Sequence, residues 1–305
     1  MNGAAYTWDG TNLITFAPVA VTPLDGPYSS TATSINDAGV AVGHDGNYNP
    51  VVLSGLQIAT AAIFSNGKAT FIDESDAQSF EAEAINNAGE IAGGNGYRGF
   101  VRTAGGMMIT IAPLSTAAQG NGTWAWALDE EGHVVGGTTV PIAQDNHGDL
   151  EVHAFLLTIS GGVQRMRDLG ALAGFPDTIA SAISEDLTIV GSSGTSAQGV
   201  LTAISGTSHA WVWQSGKMHD LGTLQPGESS YANGINDADV IVGCSGDRAV
   251  RWTNKQIVDL NTLIDPSSGW TLTCANAINR NGWIAGDGVY HGQQRAFLLV
   301  PVAQT

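Results

Sequence analysis

What this chain of 305 residues lacks narrows the field first. Basic residues number only 11 against 28 acidic ones, a formal net charge of −17, and they never cluster. Such a chain cannot lay a phosphate-neutralising track, so nucleic acid is not an expected partner. No run of about 18 apolar residues occurs, and no membrane span is expected. The opening Met1-Asn2-Gly3-Ala4-Ala5-Tyr6 has neither a basic segment nor an apolar stretch, so no signal peptide is visible. Neither His-Glu-x-x-His nor Gly-x-Ser-x-Gly is present, which leaves zinc-protease and α/β-hydrolase readings without support. Charge is sparse too, at 13% of residues against 43% hydrophobic, too apolar a balance for a disordered chain. The acidic excess forms no long carboxylate run and serves solubility.

What is abundant is glycine, with 40 residues, and much of it falls in a repeat. One phrase recurs six times: Ala, any residue, a small residue, an aliphatic, then a polar residue. Its copies are Ala32-Thr33-Ser34-Ile35-Asn36, Ala82-Glu83-Ala84-Ile85-Asn86, Ala125-Trp126-Ala127-Leu128-Asp129, Ala180-Ser181-Ala182-Ile183-Ser184, Ala232-Asn233-Gly234-Ile235-Asn236 and Ala275-Asn276-Ala277-Ile278-Asn279. The aliphatic anchors Ile35, Ile85, Leu128, Ile183, Ile235 and Ile278 are spaced by 50, 43, 55, 52 and 43 residues, the range of propeller blades and some helical repeats.

Local chemistry favours sheet over helix. Turns follow the anchors, as in Asn36-Asp37-Ala38-Gly39 and Asn86-Asn87-Ala88-Gly89, with Leu187 and Asp239 in the glycine place in copies four and five. A short β-rich run ending in Gly comes next, as in Val240-Ile241-Val242-Gly243. A third run carries aromatics, such as His209-Ala210-Trp211-Val212-Trp213, and a fourth reads Asp220-Leu221-Gly222-Thr223-Leu224. Four short strands per unit and six units predict an all-β fold, a six-bladed β-propeller of four-stranded antiparallel blades. Residues 1–305 form one domain in this reading. Strand-like runs at Ala5-Tyr6-Thr7-Trp8, Asn12 to Phe16 and Arg295 to Val300 suggest a ring closed by pairing of the two chain ends.

These phrases make the chain similar to the HAF repeat family, named for a His-Ala-Phe triplet that stands here as His153-Ala154-Phe155. The Ile-Asn-turn-Gly phrase and the Asp-Leu-Gly-x-Leu close carry the likeness over roughly residues 28 to 300. The first two units lack that close, and Gly99 replaces the triplet's alanine. The resemblance implies an extracellular or periplasmic bacterial repeat protein and assigns no chemistry.

In such a blade the start of the first strand, end of the second, start of the third and end of the fourth share one face. Long second-to-third links, at His44 to Thr60, Thr138 to Val152, Ser192 to Ser208 and Asp287 to Gln294, make that top face the expected binding surface. Near its axis the uniform repeat positions vary strongly: Glu81, Trp124 and Tyr231 lie four before an anchor, and Glu83, Trp126, Asn233 and Asn276 two before. These seven are the candidate ligand-binding residues. Aromatics beside carboxylates suit a sugar site, and Glu81 and Glu83 are the candidate catalytic carboxylates. Inter-blade packing by Trp124, Trp126 and Tyr231 is the alternative.

Other clusters carry less. His147, Asp149, Glu151 and His153 would share one side of a strand and suit a divalent metal, but side chains along one flat strand fan apart instead of converging. Gly94-Asn95-Gly96-Tyr97-Arg98-Gly99 matches a dinucleotide fingerprint by letter, yet no helix follows it, so no cofactor is expected. Asn121-Gly122-Thr123 is a glycosylation sequon by letter alone. Cys244 and Cys274 fall on the top face of neighbouring blades, where a disulfide and two free thiols are both open. Two functions stand side by side. One is a monomeric, non-catalytic propeller binding a small molecule, glycan or protein at its axial opening. The other is a carbohydrate-active hydrolase or lyase using Glu81 or Glu83.

Overall fold

A computed structural model describes residues 5–8, 13–16, 28–48, 57–72, 80–95, 97–115, 122–142, 150–195 and 206–302. The fold is all-β, built from antiparallel sheets, and two 3-10 turns are the sole helical elements among the described residues. The chain divides into two compact units, residues 1–112 with 122–134 and residues 113–121 with 135–305.

The first unit opens with a hairpin, β1 (Tyr6–Trp8) and β2 (Leu13–Thr15). A four-stranded sheet follows, made of β3 (Tyr28–Ile35), β4 (Ala41–Tyr48), β5 (Gln57–Ser65) and β6 (Lys68–Phe71). The next set is β7 (Glu81–Ile85), β8 (Ile91–Gly94), β9 (Gly99–Arg102) and β10 (Met108–Thr110). Strand β11 (Thr123–Leu128) meets β8 where Trp124 stands opposite Gly94. The second unit runs from β12 (Val134–Pro141), which starts at the boundary, through β13 (Leu150–Ser160) and β14 (Val163–Asp168). Two four-stranded sheets come next: β15 (Asp177–Ile183), β16 (Ile189–Gly194), β17 (Ser208–Gln214), β18 (Lys217–Asp220), then β19 (Ser230–Ile235), β20 (Ile241–Ser245), β21 (Arg248–Thr253), β22 (Gln256–Asp259). A three-stranded sheet of β23 (Trp270–Ile278), β24 (Ile284–Tyr290) and β25 (Gln293–Leu299) ends the described chain.

Within each unit the first strands of successive sheets lie side by side, β3 by β7 and β7 by β11, then β15 by β19 and β19 by β23. Each sheet buries small apolar residues against the next. In the first unit Val42 and Ala61 meet Ala82, Ile85, Ile91 and Phe100. In the second, Val190 and Val212 meet Ala232, Ile235, Val250 and Trp252. Alanine recurs because first strands packed this closely leave no space for longer side chains.

Each anchor is followed by a residue that builds the turn. The Asn36 side-chain oxygen accepts from the N–H groups of Ala38 and Val40, and Asn236 and Asn279 repeat the pattern on their own turns. Its amide then reaches forward, donating to the Asn86 carbonyl at 3.2 Å, as Asn86 does to Asp129 and Asn236 to Asn279. At the end of these turns Gly39, Gly89, Gly132 and Gly282 have positive φ, and Leu187 and Asp239 adopt the same backbone at 63° and 57°.

The first strands are not regular. Register slips by one residue between Ala32 and Ser34, Ala82 and Ala84, Ala180 and Ala182, Ala232 and Gly234, and Ala275 and Ala277. The extra residue of each β-bulge is thus Thr33, Glu83, Ser181, Asn233 or Asn276. The bulge presses a carbonyl against the facing strand, which is why the second run ends in glycine. A methyl group on Gly43, Gly93, Gly191, Gly243 or Gly286 would lie 1.8 to 2.1 Å from that oxygen.

Two expectations need correction. The Asp-Leu-Gly phrase is not the fourth strand but its stop: β14 and β18 end at Asp168 and Asp220, and Leu260–Leu263 is a 3-10 turn. The carboxylate accepts the N–H two residues on, at Gly170, Gly222 and Asn261, and turns the chain out of the sheet. One of the long links is strand as well: Asp287 to Gln294 is a tight hairpin turning at His291 and Gly292, and the described ends of His44 to Thr60 stay paired as far as Tyr48 opposite Gln57.

Gly243→Ala should therefore lower stability by about 2 kcal/mol, since the bulge cannot retreat from a methyl group. Urea denaturation checks this, and an unchanged midpoint would remove the steric role given to this glycine.

Candidate functional site

The start of β7 reads Glu81-Ala82-Glu83, and the bulge falls on Glu83. A bulge re-aims the side chain it carries. Where the bulge residue is Thr33 or Asn233, its side chain donates to the carbonyl of the alanine in the next first strand, Ala82 at 2.7 Å and Ala275 at 3.0 Å. An ionised carboxylate has no proton to give in that position. Glu83 instead stands near Trp124 on the neighbouring strand β11, where Trp124 and Trp126 stack with ring centroids 5.4 Å apart and planes 18° from parallel.

Burial, and then the charge of Glu81, push the Glu83 carboxyl up to about 7, with a hydrogen bond from the Trp124 indole acting in the opposite direction. His44, in the middle of β4, has its Nδ1 4.0 Å from a Glu81 carboxylate oxygen. The Trp126 indole N–H and the His44 Nδ1 are buried with no partner in hydrogen-bond geometry. The cluster thus combines a carboxyl whose pKa is raised, a second carboxyl and two unmet polar atoms. It can accept and donate hydrogen bonds to a polar ligand beside an indole face. Trp124 is 6% exposed and serves as the floor; Trp126 is half-buried and covers it.

The sequence pointed to Glu81, Glu83, Trp124 and Trp126, and the first unit brings these four together. It did not point to His44, whose one signal was its place directly after Gly43. The other three candidates belong to the second unit. Tyr231 is half-buried opposite Cys244. Asn233 is spent on structure: besides Ala275 it points its amide at the sulfurs of Cys244 and Cys274, 3.5 and 3.3 Å away. Those cysteines form a disulfide between β20 and β23, with Cα atoms 4.8 Å apart. Asn276 donates to the Asp287 carboxylate at 2.6 Å.

Of the metal candidates, His147 and Asp149 lie outside the described residues. Glu151 and His153 are on β13, with His153 Nδ1 on Asp168 at 2.8 Å and Nε2 3.5 Å from Glu151. Among the described residues no group of three or more His, Cys, Asp or Glu side chains is arranged to hold a metal. The His153 pairing is instead a repeat feature, since His209 holds Asp220 at 2.8 Å and Arg248 holds Asp259 in the equivalent places. The hydrogen bond with Asp168 raises the His153 pKa against the effect of burial. Burial pushes Asp168 up, but the His153 and Gly170 hydrogen bonds outweigh it and hold the carboxyl below its usual range. The Gly94–Gly99 stretch runs straight into β9.

No protein-family model matches the chain, and no curated protein matches it. Among solved structures it is similar to Kuenenia stuttgartiensis hydrazine synthase, at 11% identity and a TM-score of 0.48, over 92% of this chain. This chain spans 47% of that chain's length. Among the described residues no helix is long and apolar enough to cross a membrane.

A carboxyl with a raised folded pKa stabilises the fold in its neutral form, below its unfolded pKa, and that contribution is lost as pH rises through the folded value. The wild type should therefore lose stability from pH 4.5 to above 7 relative to Glu83→Gln. Urea midpoints measured across that window check it; parallel curves would mean that Glu83 does not titrate there.

Proposed function

We propose that the chain is a six-bladed β-propeller of the HAF repeat kind, its ring closed through the chain ends, and that it binds a glycan without turning it over. Its ligand sits on the top face near the axis, against Glu81, Glu83, Trp124 and Trp126. The observation that carries this reading is the stacked indole pair flanked by two carboxyls, with the Trp126 indole N–H buried and unpaired. A sugar ring offers an apolar face to Trp126 and hydroxyls to the polar atoms around it. Successive first strands lying side by side within each unit support the radial arrangement. The Cys244–Cys274 disulfide supports an oxidising, extracellular or periplasmic, compartment.

A second reading has its own support. A carboxyl held near pH 7 beside another carboxyl is the pairing that general-acid glycoside cleavage uses. In that case Glu83 is the proton donor of a hydrolase or lyase.

Titration calorimetry against a panel of neutral oligosaccharides, with product analysis on the same mixtures, separates the two. The binding reading expects saturable binding, intact ligand, and a loss of at least about tenfold in Trp126→Ala. Cleavage that disappears in Glu83→Gln would establish the second. Absence of binding to every glycan would overturn both.

A further inference from the structure

The repeat reveals a second site through a partner that has been exchanged. In three sheets the residue at the start of the third strand is basic and is held by an Asp at the end of the fourth: His153 with Asp168, His209 with Asp220, Arg248 with Asp259. The second sheet of the first unit follows the same register. The N–H of Ile111 donates to the Gly99 carbonyl just as Leu169 donates to Ala154 and Leu221 to Ala210. That correspondence places Arg98 in the basic position and Thr110 where the Asp should be. Arg98 makes no ion pair among the described residues.

Arg98 helps to line a cavity with about 630 Å³ of non-protein space including its mouth. Ala61, Ile72, Phe80, Phe100 and Met108 give it apolar walls, and Thr60 and Thr110 line it too. Phe80 and Phe100 meet edge-on, with centroids 5.7 Å apart, and fix one wall. A planar cation at an apolar hollow matches an anion that carries a hydrophobic body.

We propose that this cavity binds a small amphipathic carboxylate, with Arg98 gripping the carboxylate in place of the missing Asp and the apolar walls receiving an aromatic or aliphatic tail. This site is separate from the Glu81–Trp126 cluster and does not depend on how that cluster is read.

Calorimetry with phenylacetate as the probe, at fixed ionic strength, tests it, with phenylacetamide as the uncharged analogue. Phenylacetate should bind saturably and phenylacetamide at least about tenfold more weakly. Arg98→Gln should lose the same factor. Thr110→Asp, which restores the residue that the other sheets carry, should also lose it while folding with an unchanged or higher melting temperature. No saturable binding of phenylacetate, equal binding of the amide, or full binding in a folded Thr110→Asp variant would overturn the proposal.

Discussion

The side-chain amide of the asparagine that follows four of the six anchors is the contact on which the rest of this structure depends. Its oxygen organises its own turn and its nitrogen holds the carbonyl of the next one, at Asn36, Asn86 and Asn236. A chain with 13% charged residues has few ion pairs to set the register of successive sheets. A neutral amide does this without the desolvation cost of a buried charge. Variations follow the chemistry. Asp129 has no amide to reach forward with, and its second oxygen takes His133 Nδ1 at 2.7 Å instead. Ser184 is too short to span its turn and recruits Asp186 at 2.6 Å.

With the turns fixed, the bulge becomes the variable element. It is a repeated backbone irregularity that presents one side chain toward the neighbouring first strand. A hydroxyl or amide there closes the structure, as Thr33 and Asn233 do. A carboxyl there leaves the interlock unmade and meets burial and a second negative charge, and its pKa moves. The candidate site and the cavity beside Arg98 thus share one logic. Each lies where a repeat position keeps its geometry but has lost the chemistry that satisfied it.

Much of this architecture could be read from the amino-acid pattern. The anchors, the turns and the strand content follow from a phrase that recurs with its polar residue in place, and Glu81, Glu83, Trp124 and Trp126 stood out as departures from it. The bulges could not be read, because a register slip is a relation between two strands and leaves no mark in either alone. For the same reason Gly243 looked like the end of a strand instead of the place where a carbonyl presses in. Leu169 to Leu172 and Leu221 to Leu224 read as strand because Asp-Leu-Gly-x-Leu alternates like one, whereas the Asp is the strand's last residue and its side chain bonds forward and ends it. His44 carried no pattern of its own. The pairing of Cys244 with Cys274 needed the distance between two strands.

Native-state hydrogen exchange on Asn86→Ala tests the central claim most directly. The Asn86 amide holds the Asp129 carbonyl at 3.1 Å, and the next turn closes on that same residue through Glu131, Gly132 and His133. If the amide ties neighbouring turns together, exchange quickens at Glu131 to His133 as well as at Glu90. Faster exchange confined to residues 88–90, with the Asp129 turn as protected as in the wild type, would contradict it.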